Sequence, residues 1–218
     1  MKIRSLVDGP LEAVLFDFDG TLVDSVPDLA ASVDAVLAEY GQGPAGEARV
    51  RDWVGRGAWN LIHRAFEFAD ASQHADAAYL RFESHYQAQC ARNPVLYPGV
   101  AEGLARIQQQ WPTALVTNKP MQYTTIMLDA LDMRFDVVLG GDSVATKKPA
   151  PDMLQLACQR MGVNPARCVM VGDSSNDSEA AQALGMPVAL TRLGYNHGNA
   201  VELAAPDLIY HDFLELLA

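Results

Sequence analysis

Basic residues are scarce in this sequence of 218 residues, in which 16 lysines and arginines stand against 27 aspartates and glutamates. The net charge is therefore −11, and the long-range field of the protein is negative. Nucleic acids and acidic membranes bind basic patches, so we expect neither of them as a partner. An anionic substrate must instead meet positive groups that are placed locally within its site.

Cysteines and long apolar runs are also few. Cys90, Cys158 and Cys168 form no Cys-x-x-Cys pair, which favours buried thiols in a reducing compartment. The sequence has no run of eighteen apolar residues, and its first ten residues contain charges and a proline instead of a signal peptide. These features predict a cytoplasmic protein. Half of the residues are hydrophobic, which is enough for a substantial core.

One apolar segment, residues 13–16, leads directly into the sequence Asp17-Phe18-Asp19-Gly20-Thr21. A short continuous apolar run is typical of a strand that is buried on both faces, as in a parallel sheet. Asp17 and Asp19 leave this strand on the same side, at the end where open α/β sheets bind ligands. Two carboxylates so close are unfavourable unless a cation or a shared proton offsets their charge. The pair is therefore a first indication of metal-assisted phosphoryl transfer, and an ordinary Asp-Gly turn is the alternative at this point.

The pattern of apolar residues divides the rest of the chain into two parts. Residues 27–93 show helical spacing only, whereas strands and helices alternate from residue 94 onward. Such alternation predicts an α/β fold with a doubly wound parallel sheet. We therefore expect a catalytic core of residues 1–26 and 94–218, with residues 27–93 inserted after the first strand as a helical cap. The further strands are expected at 113–117, 136–140, 168–172, 188–191 and 208–210.

Three further segments place polar side chains at or after the ends of predicted strands: Thr117-Asn118-Lys119-Pro120, Lys147-Lys148-Pro149 and Gly172-Asp173-Ser174-Ser175-Asn176-Asp177. The first offers a hydroxyl and the second offers ammonium groups, and both suit phosphate. The chain has only four lysines, and three of them lie in these segments. The third segment supplies two carboxylates, whose oxygens suit Mg²⁺, although Asp177 could instead cap the helix that begins there.

Together, the four segments resemble the four motifs of the haloacid dehalogenase superfamily in their order and spacing. The resemblance implies a phosphatase with an Mg²⁺ cofactor and an aspartyl-phosphate intermediate, in which Asp17 is the nucleophile. It also implies that Asp19 acts as the general acid and base. Asp17, Asp19 (through its backbone carbonyl) and Asp173 are the expected metal ligands, with Asp177 in support.

The same resemblance assigns substrate contacts. Thr117 and Lys148 are expected to hold the phosphoryl oxygens, which makes both part of the catalytic set, and Asn118 is expected to bind substrate beside them. Lys147 is expected to face solvent.

Smaller segments look like those of the phosphoglycolate phosphatase family: Asp24-Ser25-Val26-Pro27-Asp28-Leu29, Val54-Gly55-Arg56-Gly57-Ala58, Gly140-Gly141-Asp142 and Gly194-Tyr195-Asn196-His197-Gly198. This finer resemblance implies that 2-phosphoglycolate is hydrolysed to glycolate and phosphate. Arg56 is then either a contact for the substrate carboxylate or a solvent-facing loop residue. His197 has either a structural or a catalytic role.

Several alternatives stay open at this point. The substrate is a small phosphorylated metabolite, but it could be a sugar phosphate such as N-acetylmuramic acid 6-phosphate, and a β-phosphoglucomutase-like mutase shares the core motifs. A dehalogenase does not need Asp19, and a phosphonatase needs a cap lysine, which the segment between residues 24 and 98 lacks. A non-enzymatic phosphate sensor would usually lack a catalytic carboxylate, and none is missing here. The protein is expected to be a monomer or a homodimer.

Overall fold

A computed structural model describes all of residues 1–218 and contains eight strands. They are β1 (Ala13–Phe16), β2 (Val23–Asp24), β3 (Val95–Leu96), β4 (Thr113–Val116), β5 (Val137–Leu139), β6 (Cys168–Gly172), β7 (Val188–Thr191) and β8 (Leu208–Tyr210). Six of them form one sheet in the order β5-β4-β1-β6-β7-β8. Every neighbouring pair in this sheet is parallel, which confirms the α/β fold with a doubly wound sheet.

Eight α-helices accompany the strands. They are α1 (Val26–Glu39), α2 (Glu47–Trp53), α3 (Ala58–Phe68), α4 (Ala75–Gln89), α5 (Val100–Gln108), α6 (Met121–Ala130), α7 (Asp152–Met161) and α8 (Ser175–Gln182). The first four follow one another without an intervening strand, and we call them the helical insert. None of the helices combines the length and the apolar character needed to cross a bilayer.

The central strand β1 shows why the sheet is buried on both sides. Successive side chains of a strand point to opposite faces. Val14 and Phe16 accordingly belong to one hydrophobic cluster, while Ala13 and Leu15 belong to another on the opposite face. All four side chains are fully buried, as the continuous apolar run predicts.

The helical insert shares a hydrophobic cluster with one face of the sheet, because that cluster contains Phe16 as well as Phe66 and Phe82 of the insert. The chain enters the insert after β2 and leaves it before β3, and these two short strands pair antiparallel. This pairing holds both connections side by side near the carboxyl end of β1. The insert is thereby anchored beside the carboxyl ends of the central strands.

All three cysteines are free and buried, as the sequence analysis predicts. Each thiol lies in a hydrophobic cluster, Cys90 in the one that includes the insert and Cys158 and Cys168 in the other. They therefore act as small apolar side chains in the core.

Helix α4 generates a stability prediction. Phe82 is fully buried and its ring stacks on Tyr86 with a centroid separation of 5.5 Å. We expect Phe82→Ala to lower the free energy of unfolding by about 3–5 kcal/mol, measured by urea denaturation. Leu80→Ala in the same helix is the control, because Leu80 is 67% exposed and its loss should change stability by less than about 0.5 kcal/mol. Equal effects of the two changes would contradict this packing of α4.

Candidate active site

The carboxyl ends of three adjacent strands meet at one cavity. Asp17 directly follows β1, Thr117 follows β4 and Asp173 follows β6, and all three residues line this cavity. Because β1 lies between β4 and β6, Asp17 is the central residue of the three. Its backbone N–H donates to the carbonyl of Val171 at 2.9 Å, which continues the sheet ladder one residue beyond β1. The fold thus brings together side chains that lie more than 150 residues apart.

A buried ammonium group joins two of the carboxylates at the strand ends. Nζ of Lys148 lies 3.0 Å from Oδ1 of Asp17 and 2.7 Å from Oδ1 of Asp177. The Lys148 side chain is only 1% exposed, so water hardly competes for these contacts. Lys147, in contrast, is exposed, as expected from the sequence. We call Asp17, Asp173 and Asp177 the acidic cluster; ligand oxygens from all three lie within 4.8 Å of one another.

The acidic cluster holds more negative charge than one ammonium group offsets. Burial raises the pKa of Asp17, although the nearby Lys148 opposes this change. Burial also raises the pKa of Asp173 well above its usual value, and the carboxylates of Asp177 and Asp17 raise it further. For Lys148, burial lowers the pKa, but the two carboxylates outweigh burial and the pKa ends above its usual value. An additional positive charge would therefore stabilise the acidic cluster.

Asp177 uses both of its carboxylate oxygens within the protein. Oδ1 pairs with Lys148, whereas Oδ2 accepts the backbone N–H groups of Asp173 and Ser174 at 3.2 and 3.1 Å and the Ser174 hydroxyl at 3.1 Å. Ser174 is the N-cap of α8 and Asp177 is the third residue of that helix, so the two form a capping box. Asp177 thus takes part in capping α8 as its third residue, with Ser174 and not Asp177 at the N-cap, and its support of the metal stays a prediction.

Asp17 and Asp173 each keep one carboxylate oxygen free of protein partners. Oδ1 of Asp17 accepts the Phe18 N–H at 2.7 Å beside Lys148, and Oδ2 of Asp173 accepts the Tyr195 N–H at 2.7 Å. Two hard oxygen donors in a negatively charged pocket suit Mg²⁺, which keeps several waters and takes substrate oxygens as well. The residues present therefore fit the expected cofactor. That Asp19 adds its backbone carbonyl stays a prediction.

Two glycines make room for the Asp173 carboxylate. Gly20 has a φ of +86° and lies against this carboxylate, and a Cβ atom at position 20 would collide with it. Gly194 packs against the same side chain from the loop after β7, and it has no space for a Cβ either. Close backbone approach from two sides fixes the orientation of Asp173. Gly20, which belongs to the first sequence motif, therefore makes room for Asp173, which belongs to the fourth.

Asp19 is paired with Lys119, a lysine of the second motif for which no individual role was expected. Nζ of Lys119 lies 3.0 and 3.1 Å from the two carboxylate oxygens of Asp19. The same Nζ donates to the hydroxyl of Tyr86 in the insert at 2.6 Å. Burial raises the pKa of Tyr86 well above its usual value, and the Asp19 carboxylate adds to this effect, so the hydroxyl stays neutral.

Thr117 and Asn118 organise the cavity through local hydrogen bonds. The Thr117 hydroxyl is buried and accepts the N–H of Lys119 at 3.2 Å. Asn118 donates from Nδ2 to the carbonyl of Lys148 at 2.9 Å and to the carbonyl of Gly55 in the insert at 3.1 Å. Both residues line the cavity, and Oδ1 of Asn118 is buried there without a protein partner. Their substrate contacts stay predictions.

His197 joins the loop after β7 to the insert. Its Nδ1 lies 3.0 Å from the carbonyl of Val54, which can only accept, so Nδ1 carries the proton. Its Nε2 then accepts from Nδ2 of Asn176 at 3.2 Å, and that amide also donates to the Gly55 carbonyl at 3.0 Å. Burial lowers the pKa of His197, and the positive charge of Arg56 lowers it further, which favours this neutral form. The hydrogen bonds support a structural role, although the ring also lines the cavity.

Arg56 differs from the other expected site residues. Its neighbours Gly55 and Gly57 line the cavity, but Arg56 itself is exposed and lies outside the lining. Its carbonyl accepts a hydrogen bond from Asn60 at 3.0 Å. The predicted contact between Arg56 and a substrate carboxylate therefore stays a prediction.

Comparison with known proteins identifies the family. The family of haloacid dehalogenase-like hydrolases matches residues 14–191, so the chain belongs to this family and is a hydrolase. A phosphoglycolate phosphatase from Escherichia coli (strain K12) is 40% identical over 230 residues, covering 95% of this chain and 91% of that protein. One from Pseudomonas putida is 41% identical over 214 residues, covering 94% of this chain and 78% of that protein.

A solved structure supports the same relationship. The crystal structure of a predicted phosphoglycolate phosphatase from Haemophilus somnus has a TM-score of 0.90 and 34% sequence identity. The comparison covers 95% of this chain and 96% of that one. The resemblance inferred from the four sequence segments is thus confirmed at the level of the family and the fold.

The free oxygens of Asp17 and Asp173 generate a prediction about metal binding. We expect Mg²⁺ to raise the melting temperature, with a stabilisation of about 2.7 kcal/mol at about 100 times the Kd. Asp173→Asn should lose this shift and, without metal, should be at least as stable as the wild type, because it relieves repulsion in the acidic cluster. Asp76→Asn is the control, since the Asp76 side chain is 86% exposed and its loss should keep the shift. An unchanged shift in Asp173→Asn would contradict the assigned metal site.

Proposed function

We propose that this hydrolase is an Mg²⁺-dependent phosphatase that converts 2-phosphoglycolate to glycolate and phosphate through an aspartyl-phosphate. The observation that carries the proposal is the position of Asp17 at the centre of the strand ends, 3.0 Å from the Lys148 ammonium and beside Asp173. The names of the E. coli and P. putida relatives support this choice of substrate.

The reaction has two halves. In the first, a carboxylate oxygen of Asp17 attacks phosphorus, the bond between phosphorus and the glycolate oxygen breaks, and Asp19 gives its proton to that oxygen. In the second, Asp19 accepts a proton from water as the water attacks the phosphorus of the aspartyl-phosphate. Free phosphate leaves, and Asp17 returns to its carboxylate form.

The remaining residues of the site bind and orient the phosphoryl group. Lys148 and the Thr117 hydroxyl hold its oxygens, where charge stabilisation lowers the barrier most, and Asn118 binds beside them. Asp17 and Asp173 hold the divalent cation, with the backbone carbonyl of Asp19 as a further ligand. The cation neutralises charge on the phosphoryl oxygens when it is bound.

The catalytic core in this proposal consists of residues 1–26 and 94–218, and residues 27–93 form the cap. The cap covers the strand ends, and hydrogen bonds from core side chains to the Val54 and Gly55 carbonyls hold it there. A covered site excludes bulk water while the phosphoryl group is transferred. This limits water attack to the second half of the reaction.

The chemistry of the cap wall favours a small substrate over a sugar phosphate. Leu29, Val54, Ala58 and Leu61 form the apolar part of this wall, and Tyr86 is the only polar side chain that the cap adds to it. The hydroxyl of Tyr86 is already engaged by Lys119. Sugar hydroxyls that face the cap wall would therefore find few polar partners there, and each unpaired group is unfavourable. This wall therefore argues against N-acetylmuramic acid 6-phosphate and against mutase activity.

A nucleophile variant tests the proposed function. We expect Asp17→Asn to lose at least about 10³-fold in kcat for 2-phosphoglycolate, because an amide cannot form the phosphoenzyme. Circular dichroism should show that the fold is intact. Acid-quenched wild-type protein should carry ³²P from labelled substrate, and the variant should carry none.

The same assay compares substrates, with N-acetylmuramic acid 6-phosphate and β-glucose 1-phosphate under equal conditions. The highest kcat/KM should belong to 2-phosphoglycolate. A higher value for either sugar phosphate would overturn the substrate assignment, and near-normal turnover by Asp17→Asn would overturn the nucleophile assignment.

The expected contact of Arg56 with the substrate carboxylate has its own test. We expect Arg56→Ala to raise the KM for 2-phosphoglycolate by about tenfold at a similar kcat, because a contact made equally in the ground and transition states is lost. Arg64→Ala, in the following helix α3, is the matched control and should leave the KM within about twofold of the wild type. An unchanged KM in Arg56→Ala would place this arginine in a solvent-facing loop without a substrate contact.

A further inference from the structure

Lys119 connects the site at the strand ends to the cap. It follows β4, its partner Asp19 follows β1, and its other partner Tyr86 lies in α4. The Lys119 side chain is 4% exposed, so these contacts are shielded from water. Three segments that are distant in sequence therefore meet at one buried ammonium group.

The orientation of the Asp19 carboxylate depends on this ammonium group. Lys119 is the only residue that hydrogen-bonds the Asp19 side chain, and it reaches both carboxylate oxygens at 3.0 and 3.1 Å. An ammonium group has three N–H donors, and the Tyr86 hydroxyl is the third acceptor, at 2.6 Å. Contact with both oxygens holds the carboxylate in one orientation.

Building on the proposed phosphatase activity, we propose that Lys119 is a positioning residue for the second half of the reaction. It holds Asp19 as the carboxylate that takes the proton from the attacking water. Tyr86 fixes Lys119 in that place when the cap covers the site. A base must lie within hydrogen-bond reach of the proton it abstracts, so a carboxylate free to rotate is a poorer base.

This arrangement couples the position of the cap to the chemistry. When α4 moves away from the strand ends, Tyr86 leaves and the ammonium group loses one of its three acceptors. The pair of Lys119 and Asp19 then gains access to water, which weakens the attraction between the two charges. The base is consequently best held while the site is covered, when the only water within reach is the one that cleaves the aspartyl-phosphate.

Pre-steady-state measurements with ³²P-labelled acetyl phosphate test the proposal. Acetate leaves as a stable anion, so formation of the phosphoenzyme from this substrate needs no proton from Asp19. We expect Lys119→Met to form the phosphoenzyme within about threefold of the wild-type rate but to hydrolyse it about 100-fold more slowly. The variant should therefore accumulate acid-stable label during turnover. Asp19→Asn should accumulate label as well, which establishes the readout.

Tyr86→Phe isolates the contribution of the cap, because it keeps the ring that packs between Phe82 and Tyr123. We expect phosphoenzyme hydrolysis to slow by about tenfold. The double variant with Lys119→Met should be no slower than Lys119→Met alone, since Tyr86 acts through Lys119. Tyr123→Phe is the matched control: its hydroxyl also bridges core and cap, to the Glu83 carbonyl at 3.4 Å, but does not contact Lys119. It should slow formation and hydrolysis equally, if at all.

The possible outcomes separate this inference from the proposed function. Wild-type protein that never carries label would end the phosphatase proposal itself. Labelled wild-type protein together with a Lys119→Met variant that slows formation and hydrolysis by equal factors would assign Lys119 a purely structural role and overturn this inference. Additive effects of Lys119→Met and Tyr86→Phe would remove the link to the cap.

Discussion

The buried ammonium group of Lys148 is the charge on which the arrangement of the site depends. It contacts Asp17 from β1 and Asp177 from α8, and so it joins the first motif to the fourth. Breaking a buried pair of this kind is strongly destabilising, by about 3–5 kcal/mol, because the remaining charge is left without compensation. The same lysine is available to a phosphoryl group because it lines the cavity. In the proposed reaction, one side chain would therefore serve both the stability of the site and phosphoryl binding.

Much of the sheet could be predicted from the sequence, and the reason is burial. Strands covered on both faces leave continuous apolar runs, and the expected bounds 13–16, 168–172, 188–191 and 208–210 agree with the structure. Helix α2 was not predicted as a separate helix within residues 27–93, since Val50 is its only buried residue and seven residues show too little periodicity. Helix α8 begins at Ser175 and not at Asp177 as expected, because Ser174 takes the N-cap position.

The site residues that could be predicted are those whose positions follow from the topology of the sheet alone. Asp17, Thr117 and Asp173 directly follow adjacent strands. A parallel sheet therefore brings them together independently of any contact between their side chains. The contacts of Lys119 depend on where α4 of the helical insert lies, and no local pattern contains that information. The scarcity of lysine was the available signal, since three of the four lysines lie in the two motif segments. Arg56 differs from these residues because it lies in a loop, and its position in the sequence does not predict where its side chain points.

A protein with a net negative charge must bind the expected anionic substrate, so the balance of charges within the cavity decides whether it can. When all four are ionised, the carboxylates of Asp17, Asp19, Asp173 and Asp177 exceed the ammonium groups of Lys119 and Lys148 by two negative charges. A phosphate monoester would be repelled by such a site. One divalent cation removes the whole excess, and the raised pKa values of Asp17 and Asp173 indicate that protons would otherwise be drawn in to do so. In the proposed function, the divalent cation would therefore assist substrate binding as well as the chemistry.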